Sequence, residues 1–341
     1  MKPFSFSKEI TLILKGIAVL MMVMLHLFNR AEYYSLCHSF LSIDGTPLIN
    51  KIALACNPVG FFCFLSGYGV YFSCRNIKEK NEIFLYGGKR GFRLYLSLWI
   101  LFIVFIPLCS VVNPQIYPGD LETTITNIFA YTSTWNHTTW FVLPFTLVLL
   151  TCCLWIKLLD AKRNAILLGG GIFLLYYLVA IVYGCFWDEL MAQRYLLICC
   201  RTVELLAPFA FGAIIQRFSH MEVPIKMKDS TLNIVSAFLA CAMFVYSVLR
   251  SIPLYPVYCA VFMIVLANIR YGHLLCKVFR LFGKYSMIIW LTHTFYFEVL
   301  FKNQIFALQY PILIFIVVSI LSLVAAMLLD KVVSPVIKRI K

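Results

Sequence analysis

Charged residues are scarce in this sequence. Asp and Glu together number 15 among 341 residues, and all charged types make up 13% of the chain. A soluble domain carries about 25% charged and about 45–50% apolar residues. Here 62% of the residues are apolar and the mean hydropathy is +0.88. This is too little polar surface for an ordinary soluble enzyme, and the composition predicts a membrane protein.

The motifs of several catalytic classes are missing as well. The chain has no H-E-x-x-H or other metal-ligand spacing, no G-x-S-x-G turn and no glycine-rich phosphate loop. Its 13 cysteines include no C-x-x-C, and most fall in apolar stretches where Cys serves as a small packing residue. We therefore expect no metal, no tightly bound cofactor and no Ser-His-Asp triad.

The sequence does contain a series of long apolar runs. A helix needs about 20 apolar residues to cross a hydrocarbon layer about 30 Å thick. Ten runs come close to this length, at 10–28, 54–73, 94–112, 140–156, 165–184, 196–216, 231–249, 252–269, 285–301 and 310–330. They predict an all-α polytopic protein with about ten transmembrane helices. We expect one membrane-embedded domain over residues 1–341, with no appended soluble domain.

The basic residues follow the order of these runs. The 29 Lys and Arg give a net charge of +14. Of these, 23 lie in alternate segments, at 1–15, 74–93, 157–163, 217–230, 270–284 and 331–341, and 6 lie elsewhere. Basic residues gather in the cytoplasmic loops of multi-pass proteins. The alternation predicts both termini on the cytoplasmic side of the cell (cytoplasmic or inner) membrane, and it removes the basis for a nucleic-acid partner.

Two ionisable residues fall within the first predicted span. Lys15 and His26 are 11 residues apart, which is about three helical turns, so they share one face about 16.5 Å apart along the axis. An ionisable group at membrane depth is costly unless it is paired or faces a cavity, which makes both residues candidates for chemistry. The alternative is structural: a Lys extending to the membrane surface and a His hydrogen-bonded in the core.

Arg90 and Arg93 stand just before the third predicted span, three residues apart on one face, with Lys89 beside them. Guanidinium groups bind phosphates through paired hydrogen bonds. The pair would suit a cytoplasmic ligand that carries phosphates, such as a nucleotide or coenzyme A. The alternative is ordinary anchoring to lipid head groups.

Two pairs in later spans have simpler interpretations. His293 and Glu298 are five residues apart, about 140° around an α-helix, so we expect each to face a different neighbour. Arg201 and Glu204 are three apart, which predicts a salt bridge within their own helix.

Further polar and aromatic residues lie at span ends or beside small residues. His137 and Trp140 begin the fourth span on the outer side, where they fit either an aromatic belt or a wall for a sugar ring. The segment Ser66-Gly67-Tyr68 most simply indicates a place where two helices approach closely.

Taken in order, these segments resemble the acyltransferase-3 family, the bacterial integral-membrane acyltransferases that modify cell-surface glycans. The residues that carry the resemblance are Lys15 and His26, then Phe61, Phe62, Ser66, Gly67 and Tyr68, then Arg90 and Arg93, then Trp140-Phe141, and finally Gly283, Ser286, Leu291 and His293. The family usually has Arg at the position of Lys15 and Asp at that of Leu12. The resemblance extends from about residue 9 to 330.

The resemblance implies an enzyme, an O-acetyltransferase. It would move an acyl group, commonly acetyl, from cytoplasmic acyl-coenzyme A as co-substrate to a hydroxyl of a glycan or lipid-linked saccharide acceptor. His26 would be the general base or a transient acyl carrier, because an imidazole with a pKa of about 6.5 can take a proton near neutral pH. Lys15, Arg90 and Arg93 would bind the donor. The candidate pocket residues are Ser66, Tyr68, His137, Trp140 and His293.

Two other functions would also place ionisable residues within spans. A proton-coupled transporter or flippase of envelope precursors would use them as a proton relay, and it predicts inverted repeats with broken helices, which the sequence does not show. A non-catalytic sensor or scaffold would retain Lys15 and His26 for structure alone.

Overall fold

The computed structural model describes residues 6–219 and 229–340. Residues 220–228, which belong to the basic segment 217–230, lie outside the described residues. In chain order the α-helices are α1 (Lys8–Phe28), α2 (Ala31–Tyr34), α3 (Leu48–Ala55), α4 (Val59–Cys74), α5 (Lys80–Val112), α6 (Leu121–Ile128), α7 (Val142–Trp155), α8 (Lys162–Cys185), α9 (Trp187–Ala192), α10 (Arg194–Phe218), α11 (Asp229–Leu249), α12 (Tyr255–Ala267), α13 (His273–Thr294), α14 (Lys302–Phe306) and α15 (Pro311–Lys338).

Short elements connect these helices. A 3₁₀ turn over His137–Phe141 leads into α7, and another over Ile156–Asp160 follows it. A π-helical turn over Phe295–Leu300 continues α13. The strands β1 (Ser42–Ile43) and β2 (Thr46–Pro47) form an antiparallel hairpin in which Ile43 is opposite Thr46.

Eight helical segments of the described chain are long and apolar enough to cross a membrane. They are Lys8–Phe28, Leu48–Cys74, Lys80–Val112, His137–Asp160, Lys162–Cys185, Arg194–Phe218, Asp229–Leu249 and Pro311–Lys338. α12 is apolar but shorter, and α13, which carries Lys277, Arg280 and Lys284, is not among the eight. Each of the ten predicted runs falls on a helix. The all-α polytopic fold is therefore confirmed, while the count of ten spans and the cytoplasmic termini remain predictions.

Helices α1 and α13 pack at glycines on both partners. A Cβ atom on Gly16 would lie 2.0 Å from the carbonyl oxygen of Phe279, and one on Gly283 would lie 1.9 Å from that of Leu12. Only glycine permits backbones to approach this closely. The two helices therefore cross in direct backbone contact.

Helices α4 and α10 repeat this arrangement. A Cβ on Gly67 would lie 1.8 Å from the carbonyl oxygen of Phe209, and one on Gly212 would lie 1.9 Å from that of Phe64. This is the close approach that the segment around Gly67 predicted.

The Arg-containing helix α5 begins at Lys80, well before the predicted start at 94, so Arg90 and Arg93 lie inside a 33-residue helix.

Candidate active site

Three histidines from distant parts of the chain meet near the C-terminal ends of α1 and α13. The ring centre of His26 lies 5.0 Å from that of His137 and 5.2 Å from that of His293. The closest contact joins His26 Nδ1 to His137 Nε2 at 3.2 Å. His26 is 9% exposed and His293 is fully buried. The structure thus brings together three residues that the sequence had marked in three separate spans.

A carboxylate completes the histidine cluster. Oε2 of Glu298 lies 3.2 Å from Nδ1 of His137, and the Glu298 side chain is 17% exposed. Among the described residues, the second carboxylate oxygen is buried without a hydrogen-bond partner. Nothing in the sequence indicates this contact, because His137 and Glu298 belong to segments far apart in the chain.

The π-helical turn explains how Glu298 reaches the cluster. The backbone N–H of Phe301 donates to the carbonyl of Tyr296 at 2.8 Å, an i→i+5 bond. Such a turn rotates less per residue than an α-helix, and π-turns occur often at functional sites. The α-helical angle used in the sequence analysis therefore does not hold between His293 and Glu298. The wider turn brings Glu298 round toward the cluster that His293 also faces.

The hydrogen bonds of His293 define its tautomer. Its Nδ1 lies 3.0 Å from the carbonyl oxygen of Ile289 and 2.9 Å from that of Trp290. Carbonyl oxygens only accept, so Nδ1 carries the hydrogen and Nε2 carries a lone pair. Within the described chain, Nε2 is buried and has no partner. His293 therefore presents an unused acceptor beside His26.

Asn136 fixes the 3₁₀ turn of His137 against α13. Its amide nitrogen donates to the carbonyl of Leu291 at 2.9 Å. Its carbonyl oxygen accepts from the hydroxyls of Thr138 at 2.7 Å and Thr294 at 3.0 Å. Asn136 is 3% exposed, and buried amides are retained when their hydrogen bonds are satisfied. Asn136 was not among the predicted site residues, although Asn is a typical capping residue just before a helical turn.

Tyr33, on the short helix α2 outside the spans, lies beside Glu298. Burial, and next the Glu298 carboxylate, raise the pKa of Tyr33, so its hydroxyl stays protonated at neutral pH. Its ring stacks on Phe306 with 5.5 Å between ring centres. Tyr33 is therefore a neutral neighbour of the Glu298 carboxylate.

A cavity of about 400 Å³ contains the predicted donor-binding residues. Lys15, Arg90, Arg93 and Ser66 all line it, and the remaining lining residues are Met22, Val59, Phe62, Tyr86, Leu94, Phe141, Phe145, Leu149, Ser286, Met287, Trp290 and Ile337. Among the described residues, this lining holds three cations and neither Asp nor Glu. Met22 lies one helical turn before His26, so the cavity reaches close to the histidine cluster without including it.

The two arginines have only neutral partners in the described structure. Nη1 of Arg90 donates to the hydroxyl of Tyr86 at 3.1 Å, and Nη2 of Arg93 donates to the carbonyl of Ile340 at 2.6 Å. The buried Nε of Arg93 has no partner among the described residues. Within the described chain, neither guanidinium group is paired with a carboxylate, so both are available to an anionic ligand.

Two predicted pocket residues lie elsewhere. The hydroxyl of Tyr68 accepts from the backbone N–H of Phe6 at 2.9 Å, and Tyr68 does not line the cavity. Trp140 is also outside the lining of the cavity. Its ring centre lies 4.8 Å from the guanidinium carbon of Arg201.

The salt bridge predicted within α10 is not formed. Glu204 instead accepts from the hydroxyl of Tyr183 at 3.3 Å. The guanidinium of Arg201 lies over the ring of Trp140 instead, and the two side chains, both described, make no ion-pair contact, so the predicted salt bridge was wrong.

Comparison with known proteins identifies the family. A family model described as an acyltransferase domain, that of the acyltransferase-3 family, matches residues 13–331. The matched interval includes the cavity residue Lys15 and the whole histidine cluster. Comparisons with curated proteins and with solved structures each found no match. Because the match covers nearly the whole chain, the protein belongs to the acyltransferase-3 family of membrane acyltransferases.

Proposed function

We propose that this protein transfers an acyl group, with acetyl as the leading candidate, from acyl-coenzyme A to a hydroxyl of a cell-envelope glycan or lipid-linked saccharide. The cell membrane is its proposed location. The observation that carries the proposal is a cavity whose described lining residues include three cations and no acid. This cavity comes within one helical turn of a buried histidine cluster.

The cavity suits the donor because coenzyme A joins an anionic end to a long neutral arm. Arg90 and Arg93 would bind the phosphates through charge-assisted hydrogen bonds. Lys15 lies on the α1 face that leads to His26, where it would contact a phosphate or the thioester carbonyl. Ser66, Phe141 and Phe145 offer a largely apolar wall for the pantetheine arm.

His26 would perform the chemistry where the arm ends. As a general base it would take the proton of the acceptor hydroxyl, which then attacks the thioester carbonyl. As a nucleophile it would first accept the acyl group itself and then pass it on. Both routes release coenzyme A and form an ester. His137 and Trp140, on the proposed outer side, would border the acceptor.

Purified protein in nanodiscs, supplied with radiolabelled acetyl-coenzyme A and an envelope glycan fraction, tests the proposal. We expect saturable donor binding and label transfer, both measured after separation from free donor. His26→Ala should retain donor binding and lose transfer. The control His273→Ala changes an exposed histidine at the start of α13 and should behave as the wild type. Absence of donor binding and transfer in the wild type, across several envelope fractions, contradicts the proposal.

A further inference from the structure

The contacts of the histidine cluster form a relay of three side chains that runs from Glu298 through His137 to His26. Oε2 of Glu298 lies 3.2 Å from Nδ1 of His137, and Nε2 of His137 lies 3.2 Å from Nδ1 of His26. Within the described part of the protein, each of these three ring nitrogens has a single hydrogen-bond partner. The donor and acceptor roles can therefore be assigned from the carboxylate end.

An ionised carboxylate only accepts hydrogen bonds, so Nδ1 of His137 must carry a hydrogen. With His137 neutral, its Nε2 is an acceptor, and the contact with His26 requires a hydrogen on Nδ1 of His26. Nε2 of His26 is then left with the lone pair. The orientation of a histidine by the bond that its other nitrogen makes is a general device in proteins.

We propose that Glu298 is a positioning residue that acts through His137 to hold His26 with hydrogen on Nδ1 and the reactive lone pair on Nε2. This inference rests on the proposed function, since it names the atom of His26 that would react. It adds Glu298 to the machinery of acyl transfer and gives His137 a positioning role there.

The same chain accommodates the charge that the reaction creates. In the general-base route the acceptor O–H bond breaks, its proton goes to Nε2 of His26, and the oxygen forms the ester as the thioester C–S bond breaks. The leaving coenzyme A thiolate then takes the proton from Nε2. Between these steps His26 is an imidazolium. A carboxylate two hydrogen bonds away stabilises this cation, and the half-buried Glu298 has no other ion-pair partner within the described chain.

Two irregular turns of the backbone position Glu298 and His137. Glu298 lies on the π-helical turn, and without that turn its side chain would point about 140° away from the face of His293. Asn136 ties the 3₁₀ turn that carries His137 to the carbonyl of Leu291 on α13. Glu298 and His137 are thereby both fixed to the helix that also carries His293.

Steady-state kinetics of the wild type, Glu298→Gln and Glu298→Asp in nanodiscs provide the first test. Gln keeps the shape but lacks the charge, and its amide can also donate to His137 and reverse the relay. We expect kcat to fall about 100-fold or more, while KM for acetyl-coenzyme A stays within about twofold. Asp restores the charge and should recover part of kcat. Glu122→Gln, an exposed carboxylate on α6, is the matched control and should be unchanged.

Nitrogen NMR of ¹⁵N-histidine-labelled protein tests the hydrogen positions directly. The His26 signals are assigned by their loss in His26→Gln. The wild type should show hydrogen on Nδ1 of His26, and Glu298→Gln should shift that hydrogen to Nε2 or mix the two forms. Hydrogen on Nε2 of His26 in the wild type, or wild-type kcat in a folded Glu298→Gln, overturns the inference. Failure of the proposed function looks different, because the wild type itself would neither bind nor use acetyl-coenzyme A.

Discussion

The rings of His26 and His293 lie 5.2 Å apart, on two helices that cross where Gly16 and Gly283 allow backbone contact. Nδ1 of His293 donates to backbone carbonyls. Its buried Nε2 is therefore an acceptor, and it has no donor in the described chain. A buried polar atom of this kind is costly to leave unpaired. A hydroxyl of the acceptor other than the reacting one, whose proton goes to His26, would satisfy it and lie beside His26.

His293→Phe should therefore weaken use of the acceptor. The substitution keeps the ring but removes the lone pair, so kcat/KM for the acceptor should fall about 10-fold, the effect expected from one lost hydrogen bond of about 1.5 kcal/mol. KM for acetyl-coenzyme A should not change. The measurement is label transfer at varied acceptor and fixed donor, with His273→Phe as the control. A change in donor KM alone would place His293 with the donor instead.

Arg90→Ala together with Arg93→Ala should weaken donor binding through lost phosphate contacts. Hydrogen bonds to charged groups contribute about 1.5–3 kcal/mol each, so the apparent Kd for acetyl-coenzyme A should rise at least about 10-fold. Acetyl-pantetheine, which lacks the phosphates, is the control ligand, and its use should be the same in wild type and variant. Equal losses for both ligands would instead indicate a general packing defect. Unchanged donor affinity would indicate that both arginines only anchor the helix to lipid head groups.

The sequence was most informative where local geometry is regular. The 11-residue spacing of Lys15 and His26 predicts one helical face, and in the structure α1 carries Lys15 in the cavity and His26 beyond it, toward the end of the helix. The spacing of Arg90 and Arg93 likewise places both in the same lining. These inferences need only the repeat of an α-helix.

The relay of Glu298, His137 and His26 could not be predicted from the sequence, because it depends on tertiary contacts and on an irregular turn. The meeting of His26 with His137 joins two segments that nothing in the sequence links. The angle assumed between His293 and Glu298 was α-helical, whereas the chain there forms a π-turn. Arg201 was assigned to Glu204 because the pair spacing fits, yet its stacking on Trp140 is a tertiary contact that local spacing does not show.

Ser66→Phe should close part of the donor cavity. Ser66 lines the cavity on α4, and a phenyl ring there would occupy space that the pantetheine arm would need. KM for acetyl-coenzyme A should rise and that for acetyl-pantetheine should rise with it, unlike the arginine double variant. Ser73→Phe, an exposed position on the same helix, is the matched control and should leave both unchanged. Wild-type kinetics in a folded Ser66→Phe would show that the donor lies elsewhere.

The crossing of α1 and α13 should tolerate no added methyl group. In Gly283→Ala the new Cβ would lie 1.9 Å from the carbonyl oxygen of Leu12, so the two helices must move apart. Overpacking of this kind costs about 1–3 kcal/mol, and thermal unfolding in nanodiscs should show a lower Tm. Because the helices also carry His26 and His293, transfer should fall even where the variant remains folded.

Gly170→Ala supplies the comparison that separates packing from helix propensity. Nothing lies within 4 Å of a Cβ built on Gly170 in α8, so this variant gains the helical preference of Ala over Gly, about 1 kcal/mol, without a clash. Its Tm should stay level or rise, and its acyl transfer should match the wild type. If Gly283→Ala behaved in the same way, the backbone contact between α1 and α13 could not be what sets the distance between the two histidines.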